Sequence, residues 1–165
     1  MFKVSPQVTP LTQRLPTCCW LTSLEMMFLW KAAKGGAKKN EDQILQAMDA
    51  SPHLYPYYMR DFGIAPTECK ETAKMLGLRW SGDGDFTAEI LHEMLKNYGP
   101  IWIAGKWYQN YSHVRVITGC EVGSGKVKYL DPLEPSGKES NGTITSLNAR
   151  GSEWKNCDAS VMYWR

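Results

Sequence analysis

The sequence predicts an α+β domain, with a helical first half and an antiparallel sheet in the second. Two observations predict it. Up to about residue 99, apolar residues recur at helical spacing between capping signals, and from Pro100 onward short β-rich runs are punctuated by glycines. Helices followed by strands is the α+β order, and 165 residues suffice for one domain with its own core. The expected organisation is a single domain over residues 1–165, helical over about 17–99 and sheet over about 100–165.

Each element has a local reason. Pro6, Pro10 and Pro16 keep the first sixteen residues extended. A first helix over about 19–33 carries Leu21, Leu24, Met27 and Phe28 inward, and Gly35-Gly36 ends it. A second begins at Asn40, where Asn40 and Gln43 make a capping-box pair and Ile44, Leu45 and Met48 face inward. The charges Lys38-Lys39 and Glu41-Asp42 read as the solvated start of that helix. Residues 51–63, with Tyr55, Tyr57, Tyr58 and two prolines, read as an irregular aromatic loop. A third helix fits 66–76, with Pro66 in its first turn and Gly77 past its end. Gly82-Asp83-Gly84-Asp85 lacks the spaced ligands and terminal glutamate of a calcium loop and reads as a turn. A fourth helix over 87–98 sets Ile90, Leu91, Met94 and Leu95 on one face and stops at Gly99-Pro100. Strands follow at 101–104, 113–120, 126–130 and 161–164, with Gly123-Ser124-Gly125 as a hairpin connection. The polar stretch 134–157 reads as loop, with a short strand near 143–147.

Composition narrows the function. A net charge of +2 does not announce a nucleic-acid partner, and no apolar run approaches the ~18 residues of a membrane span. Met1-Phe2-Lys3-Val4-Ser5-Pro6 lacks the apolar core of a signal peptide. Five cysteines, an odd number with no C-x-x-C, form neither a disulfide framework nor a zinc ribbon. A zinc set of Cys120, Cys157 and His113 would lack short-spaced ligand pairs, so no metal or cofactor is expected. Cys69 and Cys157 read as small buried hydrophobes. What remains for the cysteines is a nucleophile.

Cys19 opens the first helix, where the positive end of the macrodipole favours thiolate. It needs an imidazole to exchange its proton. Of the three histidines, His92 lies in a helix at a solvated position and His53 in a loop with no partner pattern. His113 opens a strand and points from a sheet edge. Asp131 ends the next strand, 18 residues on, so antiparallel pairing brings it beside His113 to fix the tautomer. Gln13, six residues before Cys19, offers a side-chain amide to an oxyanion alongside the Cys19 N–H. Cys18 is the alternative nucleophile, but the Gln13 spacing and the following Trp20 favour Cys19. Trp102, Trp107, Tyr108 and Tyr111 crowd the approach to His113, as cleft wall or as core.

Gln13, Cys19-Trp20 at a helix start, His113-Val114 and Asp131-Pro132 together resemble the papain-like cysteine peptidases. The likeness is to the compact bacterial branch, similar to the peptidase domains of peptide exporters and to secreted effector proteases. Pro16-Thr17-Cys18 departs from the Cys-Gly-Ser/Ala-Cys-Trp/Tyr signature, and His113 follows Cys19 sooner than in the plant and lysosomal enzymes. The resemblance implies a papain-like fold and an endopeptidase in which Cys19, His113 and Asp131 act with Gln13 on a protein substrate. With no room for a prodomain before Cys19, it further implies a bacterial effector or toxin domain. Such a domain would be monomeric when free, cytoplasmic in its producer, delivered by a specialised secretion system, and restrained by a cognate immunity protein. The same thioester chemistry also serves a deamidase, isopeptidase or transglutaminase, an excised exporter peptidase is a further reading, and a non-enzymatic binding module is the remaining class.

Overall fold

The computed structural model describes residues 1–50, 63–82, 85–108, 111–135, 137–151 and 157–165. In chain order the first half contains β1 (Phe2–Lys3), α1 (Cys19–Ala33), α2 (Glu41–Asp49), α3 (Cys69–Met75), β2 (Arg79–Ser81) and α4 (Ala88–Tyr98). The second half contains β3 (Ile101–Tyr108), β4 (Tyr111–Glu121), β5 (Lys126–Leu130), β6 (Ser140–Thr143), α5 (Ile144–Gly151) and β7 (Val161–Tyr163). A 3-10 turn, Pro66–Glu68, leads into α3.

The strands form one antiparallel sheet in the order β2-β7-β3-β4-β5-β6, and β1 pairs β4 at Phe2↔Cys120. β4 is its centre. It pairs β3 from Ile101↔Ile117 to Gly105↔His113 and β5 from Val116↔Leu130 to Glu121↔Lys126. α1 packs on β4 and β3, and its Leu24, Met26 and Met27 are fully buried. Residues around most of its circumference are buried, including Trp20, Phe28 and Trp30, so it runs through the core and not along a surface. A contiguous apolar cluster joins α1, α4, β3, β4 and β7.

The helix starts follow their caps. Asn40 accepts the Gln43 N–H while the Gln43 side chain accepts the Asn40 N–H, a complete capping box, and Ile44 and Met48 face inward. Leu45 is half-buried. Thr87 caps α4 by accepting the Ile90 N–H at 3.2 Å. Gly99 ends α4 in the left-handed region at φ +83°.

Several expectations are corrected. The short strand expected near 143–147 lies earlier, as β6 over Ser140–Thr143, and from Ile144 the chain is α5, with Leu147 buried. β3 runs four residues beyond the expected 101–104, and β2 was given by no pattern. Leu91 and Leu95 are buried on α4, but Ile90, at the rim of that face, is half exposed. His92 is half-buried with its ring 5.1 Å from that of Phe2, so its surface is only partly solvated. His113 lies on an interior strand, near its end, and not at a sheet edge. Cys69 and Cys157 are buried as expected; their thiols lie close to each other and donate to the successive carbonyls of Ala65 and Pro66. The aromatic-loop residues 51–62 and part of the turn, residues 83 and 84, lie outside the described residues, as does His53.

Candidate active site

The chain ahead of α1 is strapped down before it delivers Cys19. The Thr12 hydroxyl donates to the Glu134 carbonyl, and the Gln13 N–H donates to the Pro132 carbonyl at 2.8 Å. Arg14 donates to Glu41 Oε2 from Nε at 3.2 Å and from Nη2 at 2.7 Å. Glu41 also accepts the Thr22 hydroxyl at 2.6 Å. This carboxylate is not part of a solvated helix start: it is buried, and the Arg14 charge and Thr22 donor compensate its lost hydration. The straps bring Gln13 against the chain that follows Asp131 and fix the entry into α1.

Cys18 is the N-cap of α1 and Cys19 its first residue. Their side chains meet different surroundings. Burial and the nearby charge of Glu41 raise the Cys18 thiol, with Arg14 opposing. Burial pushes the Cys19 thiol up to about 11, against hydrogen bonds from the backbone of Val114 and Trp20, and the charge of Asp131 adds to the rise. Cys19 therefore faces β4 at the residue after His113. Burial outweighs the expected thiolate preference of the helix start, so ionisation depends on a base that takes the proton.

His113 is fully buried, and its Nε2 lies 2.6 Å from Asp131 Oδ1. The β4–β5 register explains the meeting. Val116 pairs Leu130, so Asp131 falls opposite Arg115, one same-face step from His113. With Nε2 on Asp131, Nδ1 is the ring nitrogen left for proton exchange. Burial by itself raises the Asp131 carboxyl, but bonds from His113 and Leu133 N–H and the charges of His113 and Arg115 outweigh it and hold it at about 2. Asp131 is thus an anion throughout the neutral range.

Gln13 stands beside this group, but the structure uses its amide differently from the expectation. Nε2 donates to the Leu15 carbonyl at 2.7 Å, and Oε1 is buried without a hydrogen-bond partner. One of the two Nε2 hydrogens is left over. The Cys19 amide, in the first helical turn, has no intrahelical acceptor. Trp102 Nε1 donates to the Trp20 carbonyl at 3.1 Å and pins the start of α1 to β3. Tyr111 is half exposed and stacks on Tyr108, rings 5.1 Å apart, whereas Trp102 is core.

Sequence reasoning passed over Arg115, and it named Tyr108 only as cleft wall or core. Arg115 Nε donates to Asp131 Oδ2 at 2.8 Å, and the Tyr108 hydroxyl donates to the same oxygen at 3.3 Å. The signal for Arg115 was its position two residues after His113, on the same strand face. Among the described residues no three His, Cys, Asp or Glu side chains gather to hold a metal; Cys120 donates to Ala88 and Cys157 to Pro66, away from His113.

No curated protein matches the sequence. Solved structures share the fold, two of them over nearly the whole of both chains. One is a putative C39-like peptidase from Bacillus anthracis, 16% identical, with a TM-score of 0.63 over 100% of this chain and 98% of that one. The other is the peptidase domain of Streptococcus ComA, a bi-functional ABC transporter involved in a quorum sensing pathway, 14% identical, with a TM-score of 0.58 over 96% of this chain and 97% of that one. The mixed helix and antiparallel-sheet architecture is therefore the papain-like one of these peptidases. The model of a protein family, the papain-like cysteine protease AvrRpt2, matches residues 4–151, and the chain belongs to that family of cysteine proteases.

Proposed function

We propose that the protein is a cysteine endopeptidase that cuts a protein substrate with Cys19 as nucleophile, His113 as base and acid, and Asp131 as the group that holds His113. The observation that carries this reading is the buried His113–Asp131 bond at 2.6 Å, with the Cys19 thiol against the next residue of the same strand. His113 takes the thiol proton, and the Cys19 sulfur attacks the peptide carbonyl carbon. The carbonyl oxygen becomes an oxyanion held by the Cys19 amide and, after a small rotation, by the Gln13 amide. His113 returns the proton to the leaving amine, and water then hydrolyses the thioester. The different surroundings of the two cysteines favour Cys19 over Cys18, because the carboxylate acting on Cys18 is Glu41 and the one acting on Cys19 is Asp131.

The setting we propose is a bacterial effector or toxin domain that is delivered by a secretion machine, acts on proteins of a target cell and is checked by an immunity protein. It rests on the likeness of Gln13, Cys19-Trp20, His113 and Asp131-Pro132 to secreted effector proteases. The fold likeness to a transporter peptidase domain favours a second setting, the processing of an exported peptide.

Cys19→Ala and wild type incubated with a bacterial lysate test the chemistry. New protein N-termini should appear with wild type and Cys18→Ala and not with Cys19→Ala, a loss of about 10³-fold or more. Retained cleavage by Cys19→Ala would overturn the assignment of the nucleophile. Mass shifts of one dalton or cross-links in place of new termini would mean deamidation or transglutamination.

A further inference from the structure

Asp131 is held on both sides, and only one side is His113. Oδ1 accepts His113 Nε2 at 2.6 Å and the Leu133 N–H at 3.0 Å. Oδ2 accepts Arg115 Nε at 2.8 Å and the Tyr108 hydroxyl at 3.3 Å. The carboxylate is buried, so these four donors replace its water, and the two on Oδ2 decide which way its plane is turned.

Arg115 is itself fixed. Its guanidinium lies over the rings of Tyr129 at 4.5 Å, Trp107 at 4.8 Å and Tyr108 at 5.8 Å. An arginine caged by three aromatic rings keeps its charge and loses little rotamer freedom on binding, unlike a free surface lysine. The cage comes from three strands: Trp107 and Tyr108 on β3, Arg115 on β4 and Tyr129 on β5. Tyr108 closes it onto the site, its ring edge-on to His113 at 5.3 Å.

We propose that Arg115 is a positioning residue of the active site: caged by Trp107, Tyr108 and Tyr129, it holds the outer oxygen of Asp131 so that the inner oxygen stays on His113. The inference rests on the Cys19–His113–Asp131 reading and extends it to a fourth side chain. It has an electrostatic consequence. The groups shown to face the His113–Asp131 pair are Cys19 from α1, Tyr108 from β3 and Arg115 from β4. Arg115 is the one permanent cation among them. Its charge offsets part of the Asp131 field at His113 and makes the imidazolium less stable than a bare buried carboxylate would. Removing the charge while keeping a hydrogen-bonding side chain therefore strengthens the imidazolium.

The test compares Arg115→Gln, Arg115→Lys and Asp131→Asn, each checked for folding by circular dichroism. Arg115→Gln should lower kcat about ten- to a hundredfold, as misplaced catalytic groups do, with KM little changed. It should also move the acid limb of kcat/KM, where His113 must lose its proton to act as the base, to higher pH, as a lost neighbouring cation does. Arg115→Lys keeps the charge and should leave that limb in place while recovering part of kcat. Proton NMR titration of His113, one of three histidines, in a Cys19→Ala background reads the same upward move without needing activity. Where Arg115→Gln does not fold, Tyr108→Phe removes the other donor to Oδ2 and should move the titration the same way by less. Wild-type kcat in Arg115→Gln overturns the proposal. So does a loss of kcat equal in the Gln and Lys variants with no move of the acid limb, which marks a structural role only. Asp131→Asn separates the two readings: full activity there sinks the Cys19–His113–Asp131 assignment itself, whereas an inactive Asn variant beside an unaffected Arg115→Gln sinks only the role of Arg115.

Discussion

Asp131, proposed above to hold His113, also bears on acid stability. Its folded carboxyl is held at about 2, below the ordinary 3.8, so the folded state favours the anion more than the unfolded chain does. That stabilisation is fully present above about pH 4 and is lost as pH falls through the folded value. Asp131→Asn removes the titrating group, so its unfolding free energy should change less between about pH 4 and pH 2 than that of wild type. Urea titrations at several pH values in that window check this, and parallel slopes for the two proteins would contradict it. At this scale the sequence was legible where neighbours along the chain carry the chemistry. Cys19 at a helix start, Gln13 six residues before it, and Asp131 one hairpin beyond His113 are all short-range patterns. Arg115 was not, because an alternation of 114, 116 and 118 against 115, 117 and 119 is also what packing of any strand produces. β4 is buried on both faces, so the pattern does not distinguish a site face from a core face. The unpartnered oxygen of Gln13 and the high-lying thiol of Cys19 are products of burial, which residue identity alone does not reveal.

At the scale of the element, caps and stops were the legible features, and tertiary contact overrode the rest. The Asn40–Gln43 box, Thr87 and Gly99 act where the sequence places a start or an end. Thr143 to Leu147, rich in β-branched residues, reads as a strand, yet the Thr143 hydroxyl accepts the Ser146 N–H and starts a helix. The helix is then held by Asn148, which accepts the Phe86 N–H at 2.9 Å and donates to the Phe86 carbonyl at 2.8 Å across 62 residues of chain. No local propensity reports a bond of that range. β2 is three residues long, and its existence depends on pairing with β7, so it too was illegible. Gly99 offers a direct check on the stops. Its φ is +83°, and a Cβ there would come within 2.1 Å of the Trp30 ring, whose far end is buried against it. Gly99→Ala should cost about 2 kcal/mol or more, from backbone strain plus displacement of a core indole. Gly123→Ala, where a Cβ meets nothing within 4 Å, should change stability by about 0.5 kcal/mol or less. Chemical denaturation of the two variants side by side decides it, and equal costs would refute the steric account.

The proposed active site divides between two layers of the molecule. Cys19 belongs to α1, whereas His113, Arg115 and Asp131 belong to β4 and the chain after β5, so on this assignment catalysis needs the helix seated on the sheet. The seating is apolar and continuous: α1 lies in the same core cluster as β3, β4 and β7. It is also polar at one point, where Trp102 on β3 donates to the Trp20 carbonyl one residue after Cys19. A buried helix that shares its core with the sheet cannot leave without exposing Leu24, Met26, Met27 and the sheet residues beneath them. Helix and sheet should therefore unfold together, and the site should have no separate, earlier loss. In a urea titration, peptidase activity and far-UV circular dichroism are expected to fall with one midpoint. Trp102→Phe, which deletes the donor to Trp20 and leaves a small cavity in the core, should lower that shared midpoint by the equivalent of about 2 kcal/mol or more. The two curves should stay superimposed in this variant, since the donor steadies the same unit that carries the core. Activity lost at clearly lower urea than the dichroism, in wild type or in Trp102→Phe, would show that the N-terminus of α1 detaches from β4 before the core opens.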